Sequence, residues 1–162
     1  MALLTTRVCI GIALVITLMI NAASGVEMEP VRWTTYRIPE TNTSVDFPSS
    51  IFTKEIGRPD GYGQRFQSAD GRAKLTIQTA ANVSNDSPAA FLEKRHPPSH
   101  IQYKRVTGRF FAVSSYKGDE VWYNRCNFSK RLVHCVLISY PAREERDWDK
   151  IVTRISLSLS DK

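Results

Sequence analysis

Cysteine and histidine are scarce in this chain: three of each in 162 residues. One of the three cysteines, Cys9, sits inside an apolar run near the start, which leaves Cys126 and Cys135 for the rest. No CxxC pair is present, so a zinc knuckle or a thioredoxin-type redox centre has no sequence basis. His96 and His100 have the four-residue spacing of helical metal ligands, but Pro97-Pro98-Ser99 lie between them and break any helix that would align them. There is no GxSxG elbow and no glycine-rich phosphate loop. The eight glycines and eight prolines are scattered, so no linker or low-complexity segment is expected, and no repeat of 20–50 residues is found. These absences leave no catalytic constellation and imply neither a metal nor a cofactor.

An apolar run of about 13 residues, Val8 to Ile20, is shorter than the roughly 20 that a spanning helix needs. Arg7 precedes it, and Ala22, Ala23, Ser24 and Gly25 follow. That layout predicts a cleavable signal peptide over residues 1–25, cut between Ala23 and Val26, with an uncleaved anchor as the alternative. Residues 26–162 then form a single domain, exported to a periplasm or secreted. In such an oxidising compartment two remaining cysteines pair by default.

The region around those cysteines is explicit. EVWYNRCNFS and LVHCVLISY are apolar, β-rich runs on either side of Lys130-Arg131. With that dipeptide as the turn, antiparallel register sets Cys126 opposite Cys135, close enough for a disulfide. Both thiols with His134 would be the competing metal set, but His134 and Cys135 are neighbours on a strand and point to opposite faces.

Elsewhere, WTTYRI and TSVDFP read as short strands, and Ile51 and Phe52 as core plugs from an irregular segment. RPDGYGQ reads as a loop by its Pro, Asp-Gly and Gly content. Asp70-Gly71 between QRFQS and RAKLTIQTA is a hairpin turn, with Leu75 and Ile77 inward and Lys74, Thr76 and Gln78 outward. Ser87-Pro88 opens a short helix, with Ser as N-cap and Pro at the first position. IQYKRVT, RFFAVSSYK, EVWYNRCNF and LVHCVLISY follow as a four-strand meander. After Pro141 the period changes: Trp148, Ile151, Val152 and Ile155 mark one face of an amphipathic helix, with Glu144, Glu145, Lys150 and Arg154 to solvent. The order predicts an α+β fold: an antiparallel sheet meander with two helices packed on one face of it.

The stretches VDFPSSIF, RFQSADGRAKL, SPAAFL, WYNRCNFS, VHCVLISYP and RDWDKIVTRISLSL resemble a group of small exported proteins of unknown function from rhizobia and related alphaproteobacteria. More loosely, the order of elements is similar to the PsbP/Mog1-type α+β sandwich. The first resemblance implies a periplasmic or secreted protein, and neither supplies a catalytic residue to carry over.

The net charge is +6, and residues 1–25 carry only Arg7, so the remainder keeps +5. That excess suits an anionic polymer as partner and equally suits solubility alone. Its densest stretch holds Lys94, Arg95, Lys104, Arg105 and Arg109, interleaved with Tyr103 and Phe110. It reads either as a solvated helix end and edge strand or as an anion-binding patch. Asp70 and Asp119 read as turn residues rather than acids or bases. Four sequons begin at Asn42, Asn82, Asn85 and Asn127, and would matter only in a eukaryotic secretory route. The expected function is therefore a non-enzymatic binding or interaction module, with an anionic polymer or another exported protein as partner. An accessory hydrolase or redox enzyme, its site assembled only in three dimensions, is the alternative.

Overall fold

The computed structural model describes residues 30–94 and 100–161. The signal peptide and cleavage site expected from the sequence lie outside these residues, as do Arg95 and His96. Among the described residues no helix is long and apolar enough to cross a membrane.

The chain forms β1 (Trp33–Ile38), β2 (Thr43–Pro48), β3 (Lys54–Glu55), β4 (Tyr62–Gln67), β5 (Lys74–Ala81), α1 (Pro88–Lys94), β6 (Ile101–Val106), β7 (Phe110–Lys117), β8 (Glu120–Ser129), β9 (Leu132–Pro141) and α2 (Glu145–Ser158). The hairpin β1–β2 stands as its own two-stranded sheet. The other strands make a seven-stranded antiparallel sheet in the order β3-β4-β5-β9-β8-β7-β6. The meander β6–β9 is continuous, and β9 at its inner end also pairs with β5, which places it at the centre.

Because a strand alternates faces, β9 serves two cores at once. Val136, Ile138 and Tyr140 join Leu75 and Ile77 of β5, Phe47 of β2, and Trp148, Val152 and Ile155 of α2. Val133 and Cys135 join Phe111, Val113, Cys126 and Leu92 of α1. The two helices therefore pack on opposite faces of the sheet, not on one. Each face of β9 is apolar, so a helix is needed on either side to cover it. The same two-sided burial corrects Gln78: it faces away from Leu75 as expected, yet is buried beside Cys135 rather than solvated. Tyr140 stacks on Trp148 with ring centroids 5.2 Å apart, which anchors the start of α2.

The glycines of RPDGYGQ are not loop punctuation alone, because β4 begins at Tyr62. Gly63 has φ +133°, and a Cβ there would lie 2.0 Å from the Ile77 carbonyl oxygen on β5. Only glycine permits strands to approach so closely, which a composition rule reads as a turn. The Asp70-Gly71 turn is as expected, with Gly71 at φ +79°. Asp70 accepts from the Ser68 hydroxyl at 2.6 Å and from the Arg72 backbone and guanidinium at 3.1 and 2.7 Å, which lowers its pKa to about 2. Ser87 caps α1 through the Ala90 N–H at 3.3 Å.

Cys126 and Cys135 pair across β8–β9 and form a disulfide with a sequence separation of 9. Closing so short a loop stabilises the fold by roughly 2–3 kcal/mol through the unfolded chain. Changing both cysteines to alanine is expected to lower the melting temperature by several degrees while far-UV circular dichroism stays native. Gly63→Ala should cost at least about 2 kcal/mol, since its Cβ would clash with backbone at a left-handed φ. Gly108→Ala, with nothing within 4 Å of its Cβ, should change stability by less than about 0.5 kcal/mol. Denaturant midpoints of the three variants check this ordering.

Candidate functional site

The α2 face of the sheet is only partly covered. Against β2 and β9 the helix buries its apolar stripe, but toward β7 the sheet presents Ala112 and Ser114, side chains too small to fill the space. A groove of about 440 Å³ remains between α2 and the β6–β8 end of the sheet. Its floor is Phe110, Ala112 and Ser114 of β7 with Tyr123 and Arg125 of β8. Its walls are Tyr103 and Arg105 of β6 on one side and Asp149, Thr153, Ser156 and Leu157 of α2 on the other.

Charge divides the groove lengthwise. At one end the guanidinium carbons of Arg125 and Arg105 lie 4.6 and 5.4 Å from the centroid of the Phe110 ring. Arg125 is held in place by donating to Asn127 Oδ1 at 3.2 Å and to the Ser156 hydroxyl at 3.5 Å, while the Asn127 amide donates to the Leu159 carbonyl. Ser156 also shares a 2.6 Å hydrogen bond with the Tyr123 hydroxyl, whose pKa burial raises. Neither arginine forms an ion pair among the described residues. The other end is acidic. Glu145 accepts from the Tyr116 hydroxyl at 2.6 Å and so raises the tyrosine pKa, and Asp149 has no ion-pair partner among the described residues. Burial, with help from Glu145 and Asp149, also drives the Tyr140 pKa upward.

Of the five basic residues singled out in the sequence, Arg105 lines this groove. Lys104 is its neighbour on a strand and pairs with Val113, so it belongs to the α1 face. Lys94 is held by both carboxylate oxygens of Asp86 at 2.6 Å. Arg109 lies exposed just before β7. Arg125 was not singled out: it is isolated in sequence and joins Arg105 only because β6, β7 and β8 are adjacent. The period-two spacing of Tyr123 and Arg125 was the available signal.

A second polar cluster lies beside β9. His134 is 1% exposed. Its Nδ1 is 2.7 Å from Thr43 Oγ1, which is 2.6 Å from Thr79 Oγ1, and its Nε2 is 2.7 Å from Ser129 Oγ. Asp161 is 3.9 Å away, near the same Nε2. In a hydrolytic triad the carboxylate holds the ring nitrogen opposite the serine, whereas here a threonine hydroxyl is there. The arrangement satisfies the histidine's hydrogen bonds and ties β2, β5, β8 and β9 together. Burial holds its pKa below the usual histidine value, against an opposing pull from Asp161. No group of three or more His, Cys, Asp or Glu gathers as a metal set among the described residues.

No protein-family model and no curated protein matches the chain. Among solved structures it is similar to the solution structure of cyanobacterial PsbP (CyanoP) from Synechocystis sp. PCC 6803, with a TM-score of 0.60 and 8% identity over 87% of this chain and 99% of that one. That likeness shows a PsbP-like α+β fold.

The depressed His134 pKa gives a pH dependence with a definite sign. Folded His134 binds a proton less readily than the unfolded residue, near 6.5, so its contribution is complete above that pH and is lost as pH falls toward the lower folded pKa. The melting temperature should therefore fall between pH 7 and pH 5. In His134→Gln, which keeps His96 and His100, the starting stability should be lower and this slope shallower. Equal slopes in thermal melts of the two proteins would refute the assignment.

Proposed function

We propose that the chain is an exported, non-enzymatic binding module that takes up an anionic group of its partner at Arg105 and Arg125. One observation carries this reading: two guanidiniums share the Phe110 ring at the mouth of a groove, and neither has a carboxylate partner among the described residues. A guanidinium lying against an aromatic ring keeps its N–H donors in a plane clear of the ring. Asn127 and Ser156 take two of those of Arg125, and the remaining donors of the two arginines suit a carboxylate or phosphate. Export rests on the signal-peptide pattern of residues 1–25, the disulfide and the resemblance to exported alphaproteobacterial proteins. The PsbP-like fold is compatible with such a module but brings no ligand with it.

Heparin serves as a general polyanion for the test. Arg105→Gln and Arg125→Gln should each elute from a heparin column at clearly lower salt than the wild type, and the double variant lower still. Lys104→Gln, which removes the same charge from the other face, should shift elution less. Melting curves should stay close to wild type for Arg105→Gln and Lys104→Gln, because exposed charges contribute little to stability. If the lysine variant and the arginine variants elute alike, retention reports net charge and the groove is not an anion site.

A further inference from the structure

The groove is not simply basic; its two ends carry opposite charge, and the spacing between them is set by a helix. Arg125 sits at Ser156, Asp149 is seven residues earlier on α2, and Glu145 four residues before that. At the helical rise this puts the acidic groups about 10 and 16 Å from the arginine end. Tyr116, beside Glu145, and Phe110, beside Arg125, mark the same two ends on β7, so the groove runs along the strands. Exposed Tyr103 and Leu157 flank it with apolar surface.

Resting on the anion reading above, we infer that the groove binds the carboxyl-terminal end of an extended peptide. Its terminal carboxylate lies at Arg105 and Arg125, and a lysine or arginine three to five residues upstream lies at Asp149 and Glu145. An extended chain advances about 3.3 Å per residue, so this number of residues spans the distance between the charged ends. A uniform polyanion can engage the arginine end alone, since its next charges would fall against Asp149. A dipolar chain satisfies both ends. The small side chains Ala112 and Ser114 leave room for a backbone, Tyr103 covers an apolar side chain between the two charges, and Leu157 adds apolar surface at the arginine end.

The test uses synthetic five-residue peptides with acetylated amino termini, alanine-rich with one central leucine. One has a lysine at the first position and a free carboxyl terminus. The second has that terminus amidated, and the third carries norleucine in place of the lysine. Binding to the full domain is measured by calorimetry or by NMR shift titration. The free-acid lysine peptide should bind about tenfold more tightly than either control, as expected for loss of one charge-assisted contact. Arg105→Gln should remove the preference for acid over amide and leave the preference for lysine over norleucine. Asp149→Asn should do the reverse, and this crossed pattern is one that a merely misfolded variant would not give. Equal binding of acid and amide, or a lysine preference that survives in both Asp149→Asn and Glu145→Gln, overturns the peptide assignment. Failure of every peptide to bind, with heparin retention still dependent on Arg105 and Arg125, also overturns it and leaves the anion reading standing.

Discussion

The pairing of β8 with β9 in a single register is the constraint on which the rest of the structure depends. Cys126 faces Cys135, and from that pair outward every odd residue of β9 points to α1 and every even residue to α2. A slip of one residue would exchange the two sets. With β9 slipped, His134, Val136 and Ile138 would face α1 and Cys135 would turn away from Cys126, so the disulfide could not close. Were β8 the strand that slipped, Arg125 and Tyr123 would leave the groove together. The covalent bond pins the register at a hairpin whose two faces are both apolar, where hydrophobicity alone discriminates poorly between right and wrong pairings. The two-residue turn at Lys130-Arg131 sets the same register from the loop side, with Lys130 accepting a positive φ.

The groove follows from how far α2 reaches. Tyr140 and Trp148 stack at its start, Ile155 is fully buried, and the Ser44–Ser160 bridge fastens the chain just beyond its end to β2. Fixed at both ends against β2 and β9, the helix leaves the outer strands of the meander beneath nothing but its polar flank. There the sheet carries Ala112, Ser114, Tyr123 and Arg125 in place of aliphatic residues, and β6 is an edge strand with exposed side chains. Helix packing thus produces both the core and the open trough beside it.

How much of this could be read from the chain depends on the range of the interactions involved. The β8–β9 hairpin, its disulfide, the Asp-Gly turn, the cap at Ser87 and the apolar face of α2 are all local, and each was legible. The two-sided packing was not, because a continuous apolar run such as LVHCVLISY says that both faces are buried without saying what covers each. Gly63 was misread for a related reason: close approach to the Ile77 carbonyl is a property of the pair of strands, invisible within YGQ. Arg125 was missed because it lies about 20 residues from Arg105 in the chain and becomes its neighbour only across β7.

The same reasoning separates the chain's net charge from its recognition chemistry. A cluster of basic residues along one strand is not a patch, since alternation sends Lys104 and Arg105 to opposite faces, and Asp86 already neutralises Lys94. The excess charge of the domain sets up a long-range field that salt screens. The groove itself holds two arginines and two carboxylates and is locally near neutral. Its ends are about 10–16 Å apart by the rise of α2, beyond the roughly 8 Å over which exposed charges feel one another at physiological ionic strength. Each end therefore acts on a ligand as an independent charge, and the groove can read a separation of charges where the surface as a whole reads only their sum.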